Sequence, residues 1–392
     1  MVRRFLVLSA RMGAGHNAVA AELGRRLSAA GHHVARADVL DLLPAGLGPA
    51  VHAGYRGAVR HLPWAYGAVY AAFFRPGAGP RPGSAPLARL AERRLLSLVR
   101  AERTDAVVPV FHLAAQLTGG LRAQGRLAVP AVVVVTDFAV HRQWLHPGND
   151  LHLCVSPGAA EEVRRSGAGA ASAPGPVVPP RFGAPAPGTA DWRRLLSRAG
   201  GGREPVLVSA GAWGAGSGLD ATAGLVAGSG RLAVVLCGRD ERLRRRLGRL
   251  PGVLALGWVA DLAGLMGTCG ALVDNAAGQT AVQALAAGLP VVGHRPIPGH
   301  GAAGVRRMAE LGVSGYARTP GELLGALDAL SSGAEPRGGG VRERQVAAGR
   351  ALFAGDAAAL VAAAVRERCT GPGRAPARWS PDGRAPDGAE RG

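Results

Sequence analysis

The chain has 392 residues, with 46 basic and 27 acidic side chains and a formal net charge of +19 at pH 7. This length leaves room for two domains, and a hydrophobic content of 48% excludes wholesale disorder. The 4 cysteines lie far apart without a CxxC pair, which argues against a disulfide framework or a structural zinc site and favours a reducing compartment.

The N-terminal half alternates short apolar runs with helical stretches. Residues 4–10 predict a buried strand, a glycine-containing loop follows, and residues 18–30 predict a helix. Further strands are predicted at residues 33–39, 106–111 and 129–136. Short apolar strands that alternate with helices predict a parallel sheet covered on both faces.

The same pattern restarts in the C-terminal half, where residues 205–210 predict a strand that enters a second glycine-rich loop. Strand-like runs follow at residues 231–237, 253–256, 271–273 and 290–292. We therefore predict an α/β fold of two Rossmann-like domains facing a cleft. The predicted boundaries are 1–175 for the first domain, 176–203 for a linker region, 204–368 for the second domain and 369–392 for a disordered tail.

Residues 51–104 combine many arginines with aromatic side chains, including Trp64, Tyr66 and Tyr70. Such a composition suits a surface that docks on anionic lipid headgroups, and it also suits stacking of single-stranded nucleic acid or a helical insertion with an aromatic core. No apolar run reaches the ~18 residues that span a bilayer. We therefore expect a cytoplasmic protein, peripheral on the inner face of the cell membrane.

Three glycine-containing junctions are candidates for phosphate binding. Gly211 and Gly214 follow the first strand of the second half, and a second junction there runs through Gly278, Gln279 and Thr280. Two facing loops of backbone N–H groups would suit a diphosphate. In the first half, the loop from Gly13 to Gly15 with Asp38 on the next strand instead supports binding of NAD(P).

Several polar side chains follow predicted strands and are candidates for catalysis. His16 lies where an imidazole would point into a cleft, as a general base or phosphate ligand, unless it bonds only to its own loop. Asp137, His141 and Trp144 follow the strand at 129–136, as a catalytic group or as an ion-paired structural cluster. Other histidines, such as His112 and His152, are interpreted as scattered.

The order of these motifs resembles that of the bacterial and plant diacylglycerol galactosyl- and glucosyltransferases, which are related to the lipid-intermediate N-acetylglucosaminyltransferases of cell-wall synthesis. The resemblance covers roughly residues 4–318. It is carried by Gly13 to His16, Thr136 to Trp144, Cys237 to Arg239, Gly257 to Val259, Gly278 to Thr280, Ala284 to Pro290 and Pro296 to Gly299. It implies a GT-B type fold, with the nucleotide-sugar site on the second domain and the acceptor site on the first.

The resemblance also implies roles for particular residues. Its nucleotide-sugar site would comprise Gly211, Gly214, Gly238, Arg239, Trp258, Val259, Gly278, Gln279, Thr280, Gln283 and His300. Its acceptor and membrane contacts would comprise Gly15, Trp64, Tyr66, Tyr70, His141 and Trp144. From the chemistry of the side chains, His16 or Asp137 would take the acceptor proton; we favour His16, because an unperturbed imidazole pKa of ~6.5 suits a base at neutral pH, with Asp137 orienting His16 or the acceptor. The chain departs from the family at Gln283, where Glu is usual, at His300, where Gln is common, and at Gly304, where Asn is common.

We therefore expect an inverting hexosyltransferase that moves a sugar from UDP to a membrane lipid such as diacylglycerol. We expect no metal, no cofactor and no nucleic-acid partner, since the UDP-sugar is a substrate. The alternatives are a UDP-sugar epimerase on the same architecture, an NAD(P)-dependent enzyme, and a catalytically silent nucleotide- or lipid-binding relative.

Overall fold

The structure, a computed structural model, describes residues 1–61, 72, 74, 83–209, 218–331 and 339–370. Within these residues it contains two α/β domains, each built on parallel strands. Their strands are β1 Arg4–Ser9, β2 His33–Asp38, β3 Ala106–Pro109, β4 Val132–Val134, β5 Leu151–Leu153 and β6 Ala171–Ser172 in the first domain, and β7 Pro205–Ser209, β8 Leu232–Leu236, β9 Val253–Leu256, β10 Ala271–Asp274, β11 Val291–His294 and β12 Gly315–Ala317 in the second. The predicted α/β fold of two Rossmann-like domains is confirmed.

The described helices cover the faces of these sheets. They are α1 Ala14–Ala29, α2 Leu47–His61, α3 Ala85–Arg89, α4 Glu92–Ala101, α5 His112–Ala123 and α6 Pro157–Arg165, then α7 Thr189–Gly200, α8 Leu219–Gly228, α9 Glu241–Leu247, α10 Leu262–Met266, α11 Gln279–Ala286, α12 His300–Glu310, α13 Pro320–Ser331, α14 Val341–Ala351 and α15 Ala357–Thr370. Short 3-10 turns lie at Arg142–Trp144 and Pro180–Phe182. Most of the runs predicted as strands are buried because helices pack on both sides of each sheet, whereas the edge strands β2 and β9 are partly exposed.

The strand order determines where each domain can bind a ligand. The second sheet has the order β12-β11-β10-β7-β8-β9. Strands β8 and β9 follow on one side of β7 and β10 to β12 on the other, so the strand order reverses between β7 and β10. In the first domain the orders are β2-β1-β3 and β4-β5-β6, joined by a parallel bridge between Val107 and Ala131, and the reversal lies between β1 and β3. In such sheets ligands bind in the crevice outside the carboxyl ends of the strands at the reversal.

The observed packing differs from the predicted boundaries in two places. Val178, Phe182 and Leu196, from the predicted linker, are buried in the core of the second domain. Helix α15, predicted as the end of the second domain, instead buries Val361 and Val365 in the core of the first. Both segments are amphipathic, and they pack there because their apolar side chains would otherwise be exposed to water. Of the predicted tail, residues 371–392 lie outside the described residues.

Candidate functional site

The crevices of the two domains face each other and enclose a cleft of 1210 Å³. Its first-domain wall includes the loops after β1, β3 and β4, and its second-domain wall includes the loops after β8 and β10. The strand-order reversals of both domains therefore adjoin the same cleft. A cleft of this size between two domains is a usual place for small-molecule ligands.

His16 lies in the first turn of α1 and lines the cleft. Its Nδ1 lies 3.0 Å from the carbonyl oxygen of Val110 and 3.3 Å from Oγ1 of Thr136. Because Nδ1–H donates to the Val110 carbonyl, Nε2 carries the lone pair that can accept a proton. Burial lowers the pKa of His16, although the negative charge of Asp137 and the bond to Val110 partly oppose this shift. At neutral pH the imidazole is therefore uncharged and can act as a base.

Asp137 lies close to His16 on the loop after β4, and its contacts keep it ionised. Trp144 donates its indole Nε1–H to Asp137 Oδ2 over 2.9 Å, and Nε2 of His141 lies 3.4 Å from the same oxygen. Burial alone would raise the pKa of Asp137, but the hydrogen bond with His141 and the nearby histidines outweigh it, so the pKa lies well below its usual range. The carboxylate therefore places a fixed negative charge in the cleft.

These contacts correct two of the predicted roles. Trp144 is 0% exposed, so it is a buried support of Asp137 and not a contact for an acceptor or a membrane. His141 is also buried, although it forms part of the cleft wall. The ring of His16 is held by Val110 and Thr136, so Asp137 does not contact His16 directly but acts through its charge and through Thr136, whose Oγ1 lies 3.5 Å from Asp137 Oδ1.

Two more histidines complete a cluster around this carboxylate. His112 begins α5, and its ring centroid lies 4.1 Å from that of Phe111 and 5.2 Å from that of His141. His300 begins α12 in the second domain and lines the cleft from the opposite side. Burial lowers the pKa of both rings, that of His112 to well below its ordinary value. The sequence interpretation missed His112, and its position directly after a strand was the available signal.

On the second domain, the loop after β10 is fixed by a buried carboxylate. Oδ2 of Asp274 accepts the backbone N–H groups of Ala276 at 2.9 Å and Ala277 at 2.6 Å. Burial raises the pKa of Asp274, and these hydrogen bonds partly offset the rise. Ala277 adopts a φ of 50°, in the left-handed region, which turns the chain into Gly278 at the start of α11. The N–H groups at the start of this helix are oriented towards the cleft without a side-chain cap from Gly278.

The predicted residues on α11 do not share one environment. Gln279 donates its side-chain Nε2–H to the carbonyl of Val177 over 3.2 Å, so its side chain joins α11 to the segment between the domains. Thr280 and Gln283 line the cleft. A Cβ on Gly15 would lie 3.3 Å from Cβ of Gln279, which places Gly15 at the contact between α1 and α11. Gly15, predicted to face the acceptor, therefore lies against the helix predicted to hold the nucleotide.

The predicted uracil-reading segment also lines the cleft. Trp258 is 57% exposed, and the guanidinium carbon of Arg239 lies 5.1 Å from the centre of its ring. Gly238 and Val259 flank this pair in the cleft wall. Arg181, on the 3-10 turn between the domains, adds a further exposed cation that sequence reasoning did not identify.

Some predicted residues cannot be located. Gly211, Gly214, Trp64, Tyr66 and Tyr70 lie outside the described residues.

Binding of NAD(P) by the first domain would require Asp38 to bind a ribose. Asp38 instead accepts the backbone N–H of Arg11 at 2.8 Å, and it forms an ion pair with the Arg11 guanidinium at 3.3 Å. This acidic side chain is therefore already engaged by the loop that would carry the dinucleotide.

Comparison with known proteins finds a family model that matches the first domain. The family model described as monogalactosyldiacylglycerol (MGDG) synthase matches residues 16–173. The matched residues lie within the N-terminal domain, which is therefore similar to this family. The resemblance to MGDG synthases predicted from the sequence is thus confirmed.

A curated relative matches across both domains. The processive diacylglycerol beta-glucosyltransferase of Bacillus cereus (strain AH187) is 24% identical over 249 residues, which cover 62% of this chain and 64% of the relative. The chain therefore covers less than two thirds of that relative's length.

Solved structures confirm the GT-B fold of this chain. Acinetobacter baumannii MurG superposes with a TM-score of 0.56 at 14% identity, over 94% of this chain and 100% of MurG. The calicheamicin glycosyltransferase CalG4 superposes with a TM-score of 0.59 at 17% identity, over 95% of this chain and 100% of CalG4. At these identities the likeness shows the shared fold.

The described residues contain no group of three or more His, Cys, Asp or Glu side chains arranged to hold a metal ion. Among the helices within them, none has the length and apolar character needed to cross a bilayer.

Proposed function

We propose that this protein transfers a hexose from a UDP-sugar to a membrane lipid acceptor such as diacylglycerol, with inversion at the sugar carbon and without a required metal. One observation carries the proposal. An uncharged imidazole, His16, and the uncapped start of α11 at Gly278 line one cleft from opposite domains. A base on one side and a diphosphate-binding helix N-terminus on the other are the two parts that such a displacement needs.

In the proposed reaction the acceptor hydroxyl oxygen attacks the anomeric carbon as the bond from that carbon to the UDP oxygen breaks. Nε2 of His16 takes the hydroxyl proton, and the bonding electrons leave with UDP. The negative charge of Asp137 stabilises the imidazolium that forms. The backbone N–H groups at Gly278 to Thr280 stabilise the charge that develops on the leaving diphosphate.

The remaining cleft residues are proposed to bind the rest of the donor. The backbone at Trp258 and Val259 would bind uracil, and Gln283 and His300 would bind the ribose and the sugar. Gln283 offers an amide where a carboxylate is usual in the family, so it can both donate to and accept from hydroxyls but lacks a charge-assisted bond. Donor binding therefore depends more strongly on the second-domain backbone.

The lipid acceptor is proposed from the family of the first domain and from the diacylglycerol named for its curated relative. The net charge of +19 favours an anionic surface, which we propose to be the inner face of the cell membrane. Helix α2 lines the cleft with Val51 and Tyr55 beside the first-domain wall. It would offer the acceptor an apolar approach to His16.

Thermal stabilisation by nucleotides tests the donor half of the proposal. We expect UDP to raise the melting temperature, while NAD, GDP and ADP at the same millimolar concentration leave it unchanged. A ligand at 100 times its dissociation constant adds about 2.7 kcal/mol of stability, which is readily measured. Stabilisation by NAD alone would overturn the proposed function. With UDP-glucose and diacylglycerol, transfer should persist in EDTA, and UDP binding without any transfer would instead indicate a silent relative.

A further inference from the structure

The loop that carries Asp137 is attached to the second domain by an apolar contact. Phe138, the next residue, is 1% exposed and belongs to a buried cluster that also contains Ala281 and Val305 of the second domain. Ala281 lies on α11 and Val305 on α12, the helices that begin at the proposed diphosphate and sugar sites. The position of this loop therefore depends on contact between the domains.

A second contact to the same loop is polar. The backbone N–H of Val140 donates to Oε2 of Glu162 over 3.3 Å. Glu162 lies on α6 of the first domain, and its Oε1 forms an ion pair with the guanidinium of Arg307 on α12 of the second. Arg307 also donates to Glu310, three residues further along the same helix, over 3.0 Å.

The ion pair between Glu162 and Arg307 connects the helix that begins at His300 with the loop that carries Asp137. Arg307 lies two turns from His300 on the same helix, and Glu162 contacts the loop three residues beyond Asp137. The side chains of Arg307 and Glu162 are 28% and 25% exposed, so the pair is better shielded from solvent than a fully exposed one. Opening of the cleft would separate the two charges and release Glu162 from its partner.

We propose that Glu162 and Arg307 are positioning residues that couple closure of the cleft to the placement of Asp137. The proposal rests on the proposed function, in which Asp137 acts on His16. The ion pair forms when the domains close, and it holds Glu162 where it fixes the Val140 backbone. Neither side chain touches substrate, so the effect reaches the reaction only through the loop.

Amide hydrogen exchange of the full chain tests the coupling without any substrate. Glu162→Gln keeps an oxygen for the Val140 N–H but removes the charge, and Arg307→Gln removes the other partner. We expect exchange of peptides covering residues 137–144 to accelerate about tenfold in each variant and no further in the double variant, because both changes remove one interaction. Glu161→Gln and Arg306→Gln, on the same two helices, are the matched controls and should leave exchange unchanged.

Kinetics then connect the loop to the reaction. With UDP-glucose and diacylglycerol, we expect kcat to fall about tenfold in both variants while stabilisation by UDP is retained, since UDP binds the second domain. Unchanged exchange in the loop, or additive effects in the double variant, would overturn the coupling. Faster exchange in both single variants, together with no sugar transfer by the wild-type chain, would support the coupling and overturn the proposed function instead.

Discussion

Gly15 and Gln279 meet across the cleft: a Cβ at residue 15 would lie 3.3 Å from the Cβ of Gln279. The two residues begin the two helices on which the proposed chemistry depends. Gly15 precedes His16 on α1, and Gln279 opens α11 at the proposed diphosphate site. The distance between base and leaving group is therefore set where these helices touch.

Gly15→Ala should weaken this contact. A methyl group 3.3 Å from Gln279 requires the helices to separate by a few tenths of an ångström, and small misplacements of reacting groups are costly in catalysis. We expect kcat/KM to fall by about three- to tenfold with little change in melting temperature. Gly120→Ala on α5 is the control, because a Cβ there meets nothing within 4 Å. Equal activity of the two variants would contradict the importance of this contact.

Gly304 and Ala277 form a second tight contact, within the second domain. A Cβ on Gly304 would lie 2.8 Å from Cβ of Ala277, so Gly304→Ala should lower the free energy of unfolding by about 1–3 kcal/mol. Ala277→Gly removes the opposing methyl and also suits the φ of 50° at that position. The double variant should therefore recover most of the lost stability in denaturant unfolding. Loss in the double variant equal to or greater than in Gly304→Ala would rule out this steric explanation.

Acid should destabilise the protein through its buried histidines. Burial lowers the pKa of His152 to about 4, whereas an unfolded histidine titrates near ~6.5. Between these values the unfolded chain binds a proton that the native chain does not, so stability is lost as the pH falls from ~6.5 towards 4, by up to about 3 kcal/mol for this group.

His152→Leu should remove this part of the acid sensitivity. The measurement is the free energy of unfolding at pH 7 and pH 4.5, compared between wild type and variant. His33→Gln, which changes an exposed imidazole on β2, is the control variant. An identical pH dependence in His152→Leu would show that His152 is not among the titrating groups responsible.

Gln283→Glu restores the carboxylate that is usual in the family. Hydrogen bonds that involve a charged group are stronger than neutral ones, so we expect KM for the UDP-sugar to fall by about fivefold. Stabilisation by UDP without a sugar separates ribose binding from sugar binding in the same variant. A higher KM for the UDP-sugars tested would show that the amide is matched to the donor.

The sequence predicted the fold well because parallel strands buried on both faces read as apolar runs. The runs predicted at 205–210 and 271–273, for example, correspond to β7 Pro205–Ser209 and β10 Ala271–Asp274, whose ends adjoin the cleft. It also predicted His16 and Asp137 as neighbours of the cleft, since both follow such runs. The sequence did not predict the strand order. Without that order, nothing indicates that His112, which follows β3, lies beside His141.

The roles of Trp144 and Glu162 were beyond the sequence for another reason. Local sequence does not distinguish an exposed Trp in a lipid-docking loop from a buried Trp that is hydrogen-bonded to a carboxylate. Only packing distinguishes the two. Glu162 pairs with Arg307 from a different domain, so nothing in its helix predicts its partner. Long-range contacts of this kind depend on how the domains dock.

The most direct test of the account is the transfer rate and the UDP affinity of His16→Ala, measured beside the wild-type chain with UDP-glucose and diacylglycerol in vesicles. We expect transfer to fall by about 10²- to 10⁴-fold, because the general base is lost. We also expect unchanged stabilisation by UDP, because the nucleotide binds the other domain. Transfer that survives in His16→Ala, or UDP affinity that collapses with it, would contradict the role of His16 as the base.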